Sequence, residues 1–217
     1  MGSLLASILP LAIGAAISPT ILAGQLLILS GKEFAIKRAL MFLLGSGLVL
    51  IGYTAVAVLA GVGSDAASKP STVDGVIKLF FAVVLLVLGI RALLRGPKPE
   101  KAKKPAAGPR FVRSFEFGAV LMLLNFTTLA LYFPAVHETV ASSVSSSDEL
   151  LAIVILYLIT MIPAWMPLVA TVVVGAPAKR ALARLNAFMT RHSQAITVAI
   201  CFLFAAYLGV SGAKILF

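Results

Sequence analysis

Charge is what this chain has least of. Only 12% of its 217 residues are charged while 60% are hydrophobic, a composition that excludes an ordinary soluble domain and indicates an integral membrane protein. No Asp or Glu falls in the central part of any apolar run, which counts against a transmembrane proton relay built on buried carboxylates and against a cationic cargo. The single cysteine, Cys201, lies in the last apolar run. An intrachain disulfide, a Cys-x-x-Cys redox centre and a cysteine metal cage are therefore out, and packing is its expected role. The two histidines, His137 and His192, fall on opposite sides of the expected topology. There is no His-Glu-x-x-His, no Gly-x-Ser-x-Gly and no Gly-rich phosphate loop ending in Lys-Ser or Lys-Thr. No enzyme activity, cofactor or metal is expected, and any ATP would have to be spent by another subunit.

What the chain does have is apolar runs, at about 3–30, 39–62, 75–94, 116–134, 150–174 and 195–216. Each can cross a hydrocarbon core of ~30 Å at ~1.5 Å per residue, and their continuity without polar alternation selects helices over barrel strands. The first run has no basic residue before it and exceeds the apolar part of a signal peptide, so a retained helix is expected. The net charge of +10 matters less than its placement. Lys32, Lys37 and Arg38 occupy the first connection. The third holds Arg91, Arg95, Lys98, Lys101, Lys103, Lys104, Arg110 and Arg113, and the fifth Lys179, Arg180, Arg184 and Arg191. Only Lys69, Lys78 and Lys214 remain for the other side. The positive-inside rule makes the odd connections cytoplasmic and puts both termini outside, in a plasma (inner) membrane.

The third connection, rich in Lys and Pro, reads as a linker over about 96–113 between two halves, 1–95 and 114–217, of a single membrane domain. Its charges can fix topology or bind anionic headgroups. With three helices on each side, a repeat of the first half in the second must be inverted. The expected fold is thus all-α, six transmembrane helices in two inverted three-helix repeats.

Polar interruptions mark the candidate site. Pro19 in the first run lacks an N–H and leaves the Ala15 carbonyl without its helical partner, which lipid tolerates only if another group takes over. Ser18 and Gln25 are two turns apart on one face, and Thr20, next to Pro19 in sequence, is a further candidate. In the fourth run Asn125, Thr128 and Tyr132 share a face. Thr20, Leu22 and Ala23 match Thr127, Leu129 and Ala130. Ser18, Pro19, Thr20, Gln25, Asn125, Thr128 and Tyr132 serve either as interhelical packing and hydrogen-bonding glue or as the lining of a midplane substrate cavity. Pro163 and Pro167 in the fifth run form either a permanent kink or a hinge for alternating access, and Trp165 between them is expected to line the cavity. Glu116, Asp74, Lys78 and Glu138 sit near helix ends, where solvated surface charge is the ordinary expectation. The best placed for a proton-linked step is His137 with Glu138, ahead of Asp74 and Glu116.

The stretches Ile17-Ser18-Pro19, Leu124-Asn125-Phe126-Thr127-Thr128-Leu129, Tyr132 to Glu138, Ile162 to Pro167, and Arg184-Leu185-Asn186 through Ser193 together resemble the GAP family of actinobacterial membrane proteins. These are the sulfolipid- or peptidoglycolipid-addressing proteins of the lysine exporter superfamily. The resemblance implies a six-helix transporter-like fold and a role in moving cell-envelope glycolipids or their precursors across the inner membrane. Related exporters commonly carry proline at both breaks. Here Asn125-Phe126 lacks it, so the resemblance leaves open whether the fourth helix is unwound there and does not carry over amino-acid specificity.

The expected function is therefore a transporter or flippase-like exporter of an envelope glycolipid or lipid precursor. The alternatives are an accessory scaffold of a lipid synthesis or export complex, and an exporter of a small amino-acid-like solute. The expected partners are membrane lipids and an amphipathic glycolipid or lipid-linked substrate, with no nucleic acid. A homodimer, and a lipid-synthesis partner held by the basic linker, are further partners considered.

Overall fold

A computed structural model describes residues 2–31, 33–61, 72–95, 110–142 and 144–216. Among these the chain is wholly helical: α1 (Gly2–Ala16), α2 (Pro19–Leu29), α3 (Ala35–Gly61), α4 (Thr72–Arg95), α5 (Arg110–Leu123), α6 (Phe126–Val140), α7 (Ser146–Thr160), α8 (Ile162–Val173), α9 (Ala176–Arg191) and α10 (Ser193–Leu216). Most of the expected linker lies outside the described residues, as do Lys32, Lys69 and Ser143. Its last four positions, from Arg110, already form the first turn of α5.

Three helices, α3, α4 and α10, are each long and apolar enough to cross a membrane. The other runs are broken. α1 and α2 meet at 51°, α5 and α6 at 71°, α7 and α8 at 67°. Counted as one span each, these pairs bring the total to six. Leu44, Leu48, Val83, Val87, Leu203 and Val210 are exposed large apolar residues on the long helices, the surface that a lipid-facing helix presents. The architecture is that of a multi-pass membrane protein.

Packing follows a regular scheme. α1 lies on α6 and α2 on α5. α3 packs on α5 and α6, while α7 packs on α1 and α8 on α2. α4 runs along α10. Ile8, Leu11, Ala12 and Ala15 of α1 and Leu131, Tyr132, Ala135 and Val136 of α6 form the centre of the buried core. Small residues let backbones touch where the long helices cross. A Cβ on Gly45 of α3 would collide with the Phe115 carbonyl of α5, and one on Gly118 of α5 would collide with the Phe42 carbonyl of α3. On the α4–α10 contact, a Cβ at Gly212 would come 3.0 Å from the Gly75 carbonyl oxygen.

The fifth connection is more ordered than its basic composition suggested. Gly175, at φ 74°, reverses the chain in a conformation that side chains disfavour, and Pro177 opens α9 with its fixed φ. α9 is amphipathic. Ala178 and Leu182 are buried, while Arg180, Arg184 and Arg191 are exposed.

Candidate functional site

The site starts from a missing N–H. Pro19 cannot donate to the Ala15 carbonyl, so α1 ends at Ala16 and the chain turns through Ile17 and Ser18 before helix resumes. Ser18 adopts extended backbone (φ −121°), and its Oγ accepts from the Ile21 N–H at 3.4 Å, capping α2. The second break forms without proline. Asn125 Oδ1 accepts from the Thr128 N–H at 3.5 Å and caps α6. Its bend is the sharper of the two.

The two breaks are hydrogen-bonded to each other. Asn125 Nδ2 donates to Ser18 Oγ at 2.8 Å, and Thr128 Oγ1 donates to the Ala15 carbonyl at 3.0 Å. The carbonyl orphaned by Pro19 thus receives its hydrogen bond from the other half of the chain. Ser18 and Thr128 are buried, so this pairing answers the need, in a low-dielectric interior, for every backbone group to find a partner.

Beside this junction lies a cavity of about 440 Å³, within the range of small-molecule sites. The first turns of α2 and α6 contribute Pro19, Thr20 and Thr127, and Asn125 caps the second. Thr190 and Ser193 from the α9–α10 corner complete the polar lining. Val120, Leu124 and Phe126 form an apolar rim that is about half exposed. α2 leads from the break to the first connection, α5 arrives from the third, and Thr190 belongs to the fifth. The cavity therefore occupies the half of the protein on the side of the basic connections.

A family model described as Sap, sulfolipid-1-addressing protein, matches residues 8–214. The chain belongs to the sulfolipid-1-addressing protein family. The match takes in both breaks and every residue named above as lining the cavity. No curated protein and no solved structure compared with the chain matches it.

In this Sap-family chain the remaining sequence-derived candidates are dispersed. Gln25 is fully buried and donates through Nε2 to the Ala39 carbonyl at 3.3 Å, fastening α2 to α3. Tyr132 is buried too, its hydroxyl 2.7 Å from Thr54 Oγ1 of α3. Neither is among the cavity-lining residues. The break between α7 and α8 falls at Met161, with Pro163 in the first turn of α8 and Pro167 inside it. Trp165 is not among the lining residues either. Its indole Nε1 donates to the Leu158 carbonyl at 3.0 Å, supplying a donor to the interrupted end of α7. Trp165→Phe, which keeps the ring and removes the N–H, is expected to cost about 1 kcal/mol, read as a lowered thermal midpoint in detergent.

The charged groups near helix ends do not behave alike. Glu116 is exposed. His137, by contrast, is buried at 2% exposure, where a solvated surface group was expected. Asp74 and Lys78 reach it and its neighbour from α4: His137 Nδ1 is 3.2 Å from Asp74 Oδ1, and Lys78 Nζ is 3.0 Å from Glu138 Oε2. Burial follows because α6 lies between α1, α3, α4 and α7, an arrangement that helix-end position in the sequence does not convey. The polar lining residues that sequence reasoning did not single out are Thr127, Thr190 and Ser193. The amphipathic spacing of Ala178, Leu182 and the three arginines was the available signal for the helix that places Thr190, but it was masked by reading the stretch as a basic loop.

Proposed function

We propose that this protein is an inner-membrane transporter or flippase-like exporter that takes the headgroup of an anionic envelope glycolipid, or its precursor, into the cavity beside the paired breaks. The observation that carries this reading is the division of the cavity wall. Hydroxyl and amide groups of Thr20, Asn125, Thr127, Thr190 and Ser193 lie on one part of it and the half-exposed Val120, Leu124 and Phe126 on another. An amphipathic molecule fits such a wall, with its headgroup among the hydroxyls and its acyl chains passing the apolar rim into lipid. Two helices begin at the cavity, and their positive ends favour an anionic group there. The family description, which concerns addressing of a sulfolipid, agrees with that chemistry.

The packing scheme supports an inverted repeat. Exchange of α1 with α5, α2 with α6, α3 with the α7–α8 pair and α4 with α10 turns the α1–α6 contact into α5–α2. The same exchange turns the α3 contacts with α5 and α6 into those of α7 with α1 and α8 with α2, and returns α4–α10 to itself. That correspondence, with a capped break in the leading span of each half, also supports placement in the lysine exporter superfamily. In this reading the basic side is cytoplasmic, the cavity faces the cytoplasmic leaflet, and the Met161 break is the hinge as access changes sides.

Ala23 lines the cavity from α2 and takes no part in the junction, so Ala23→Phe should fill the space while leaving the fold intact. In vesicles containing the reconstituted protein and a fluorescent sulfated glycolipid, headgroup translocation is expected to fall at least about tenfold in this variant, a loss of ~1.4 kcal/mol in transition-state stabilisation. Unchanged translocation in a folded Ala23→Phe protein would remove the cavity from the mechanism.

A further inference from the structure

α9 is fastened to the membrane at both ends. Only Val174 and Gly175 separate it from α8, the second half of a bent span, and only His192 separates it from α10, which is long and apolar enough to cross by itself. With so little chain at either end, its 16 residues, ~24 Å of helix, cannot lift away into water and must lie along the surface on the side of the basic connections. The hydrocarbon boundary is close. Val172, Val173 and Val174, all more than half exposed, run up to Gly175 and continue the apolar surface of the spans.

The circumference of α9 has three sectors. Ala178 and Leu182 share the first, and both are buried where the helix packs on α2, α8 and α10. Arg180, Arg184 and Arg191 fall within ~40° of one another on the far side, at ~100° per residue, and all three are exposed. Between these two sectors lies exposed apolar surface, Leu185 at 39% and Phe188 at 58%. In water that middle sector would cost free energy. At a bilayer surface it enters the upper acyl segments, with the adjoining guanidinium groups at the level of the phosphates. The helix has no Asp or Glu, and among the described residues no carboxylate pairs with any of the three arginines. Their charge is left for a partner that carries many negative groups in one plane.

We propose that α9 is a docking surface for anionic lipid, holding headgroups of the leaflet on the basic side through Arg180, Arg184 and Arg191 while Leu185 and Phe188 enter the acyl layer. Anionic lipid is thereby held along a helix whose last turn carries the cavity-lining Thr190. This holds whatever the cavity binds. The test uses Phe188→Trp in a Trp165→Phe background, which makes position 188 the one tryptophan of the full-length chain. The protein is placed in phosphatidylcholine nanodiscs that contain the same fraction of either brominated phosphatidylglycerol or brominated phosphatidylcholine, and bromine quenches the indole only at close range. Quenching by the brominated phosphatidylglycerol is expected to be stronger by about threefold or more. That ratio should fall to about one when Arg180→Gln, Arg184→Gln and Arg191→Gln are combined, since the charges that select the lipid are then gone. If the Trp165→Phe background does not fold, native mass spectrometry of the wild-type and triple-variant proteins makes the same comparison, as the ratio of phosphatidylglycerol to phosphatidylcholine retained. Quenching by neither lipid puts α9 in water or against a protein partner and overturns the proposal. So does equal quenching, or equal retention, of the two lipids with the arginines in place, or a preference that survives the triple substitution.

Discussion

Gly118→Ala, and separately Gly45→Ala, are expected to leave little folded protein in detergent extracts. The added methyl in each case points at a carbonyl of the facing helix, Phe42 for Gly118 and Phe115 for Gly45. A side chain in the way could change rotamer, but a backbone carbonyl can move only if the whole helix does. Overpacking of a well-packed interior costs ~1–3 kcal/mol and occasionally more, and a collision with backbone belongs at the upper end of that range. Separating α3 from α5 also loosens the wall of the cavity that Val120 and Leu121 provide. α3 contains its own control. A methyl group added at Gly52 would meet nothing within 4 Å, so Gly52→Ala should be neutral or stabilise by up to ~1 kcal/mol through helix propensity. Size-exclusion yield and thermal midpoint check the trio, and equal behaviour of all three would contradict the close crossing.

The second large effect is expected at the junction of the breaks. Asn125 does two things, capping α6 through Oδ1 and donating to Ser18 through Nδ2. Asn125→Ala therefore loses a cap worth ~1 kcal/mol and a part-buried bond to Ser18, for a total of ~1–3 kcal/mol. Ser18→Ala loses the same cross-break bond and its own cap on α2. Because the bond is shared, the double variant should be less destabilised than the two singles added together, by about 0.6 to about 1.7 kcal/mol as for hydrogen bonds within membrane bundles. Thr128→Val extends the series by stripping the Ala15 carbonyl of its donor. Reversible unfolding in mixed micelles measures the cycle, and strict additivity of Asn125→Ala and Ser18→Ala would mean that the bond contributes nothing.

The sequence revealed the first break more fully than the second. Pro19 makes the fate of the Ala15 carbonyl a question from the sequence alone, because a ring without an N–H leaves that carbonyl unbonded, although Pro10 and Pro134 sit inside α1 and α6 without breaking them. At Asn125 there is no such covalent mark. The break there is made by a side-chain cap and by a partner 107 residues away in the chain, and neither is a local property. The same reason hid the Gly45–Gly118 crossing, since each glycine explains the other only once α3 and α5 are side by side. Apolar run lengths located the three long helices and the three bent pairs. They also drew attention away from α9, where Leu182 and the arginines alternate around a helix that no continuous apolar stretch marks. Trp165 was placed by depth alone, and depth does not tell a cavity wall from the freed carbonyl of Leu158.

The bent spans bear on how the protein is made. α5 has 14 residues and α6 has 15, each ~20 Å long at ~1.5 Å per residue and so too short to cross ~30 Å of hydrocarbon alone. While they wait for partners, Asn125 and Thr128 hold unmatched polar groups in the bilayer. Their partners, Ser18 and the Ala15 carbonyl, are synthesised more than a hundred residues earlier. The expected consequence is a direction to biogenesis, with the first half acting as the template on which the second half's leading span becomes stable. A chain severed in the linker should need the N-terminal piece already in the membrane before the C-terminal piece can settle.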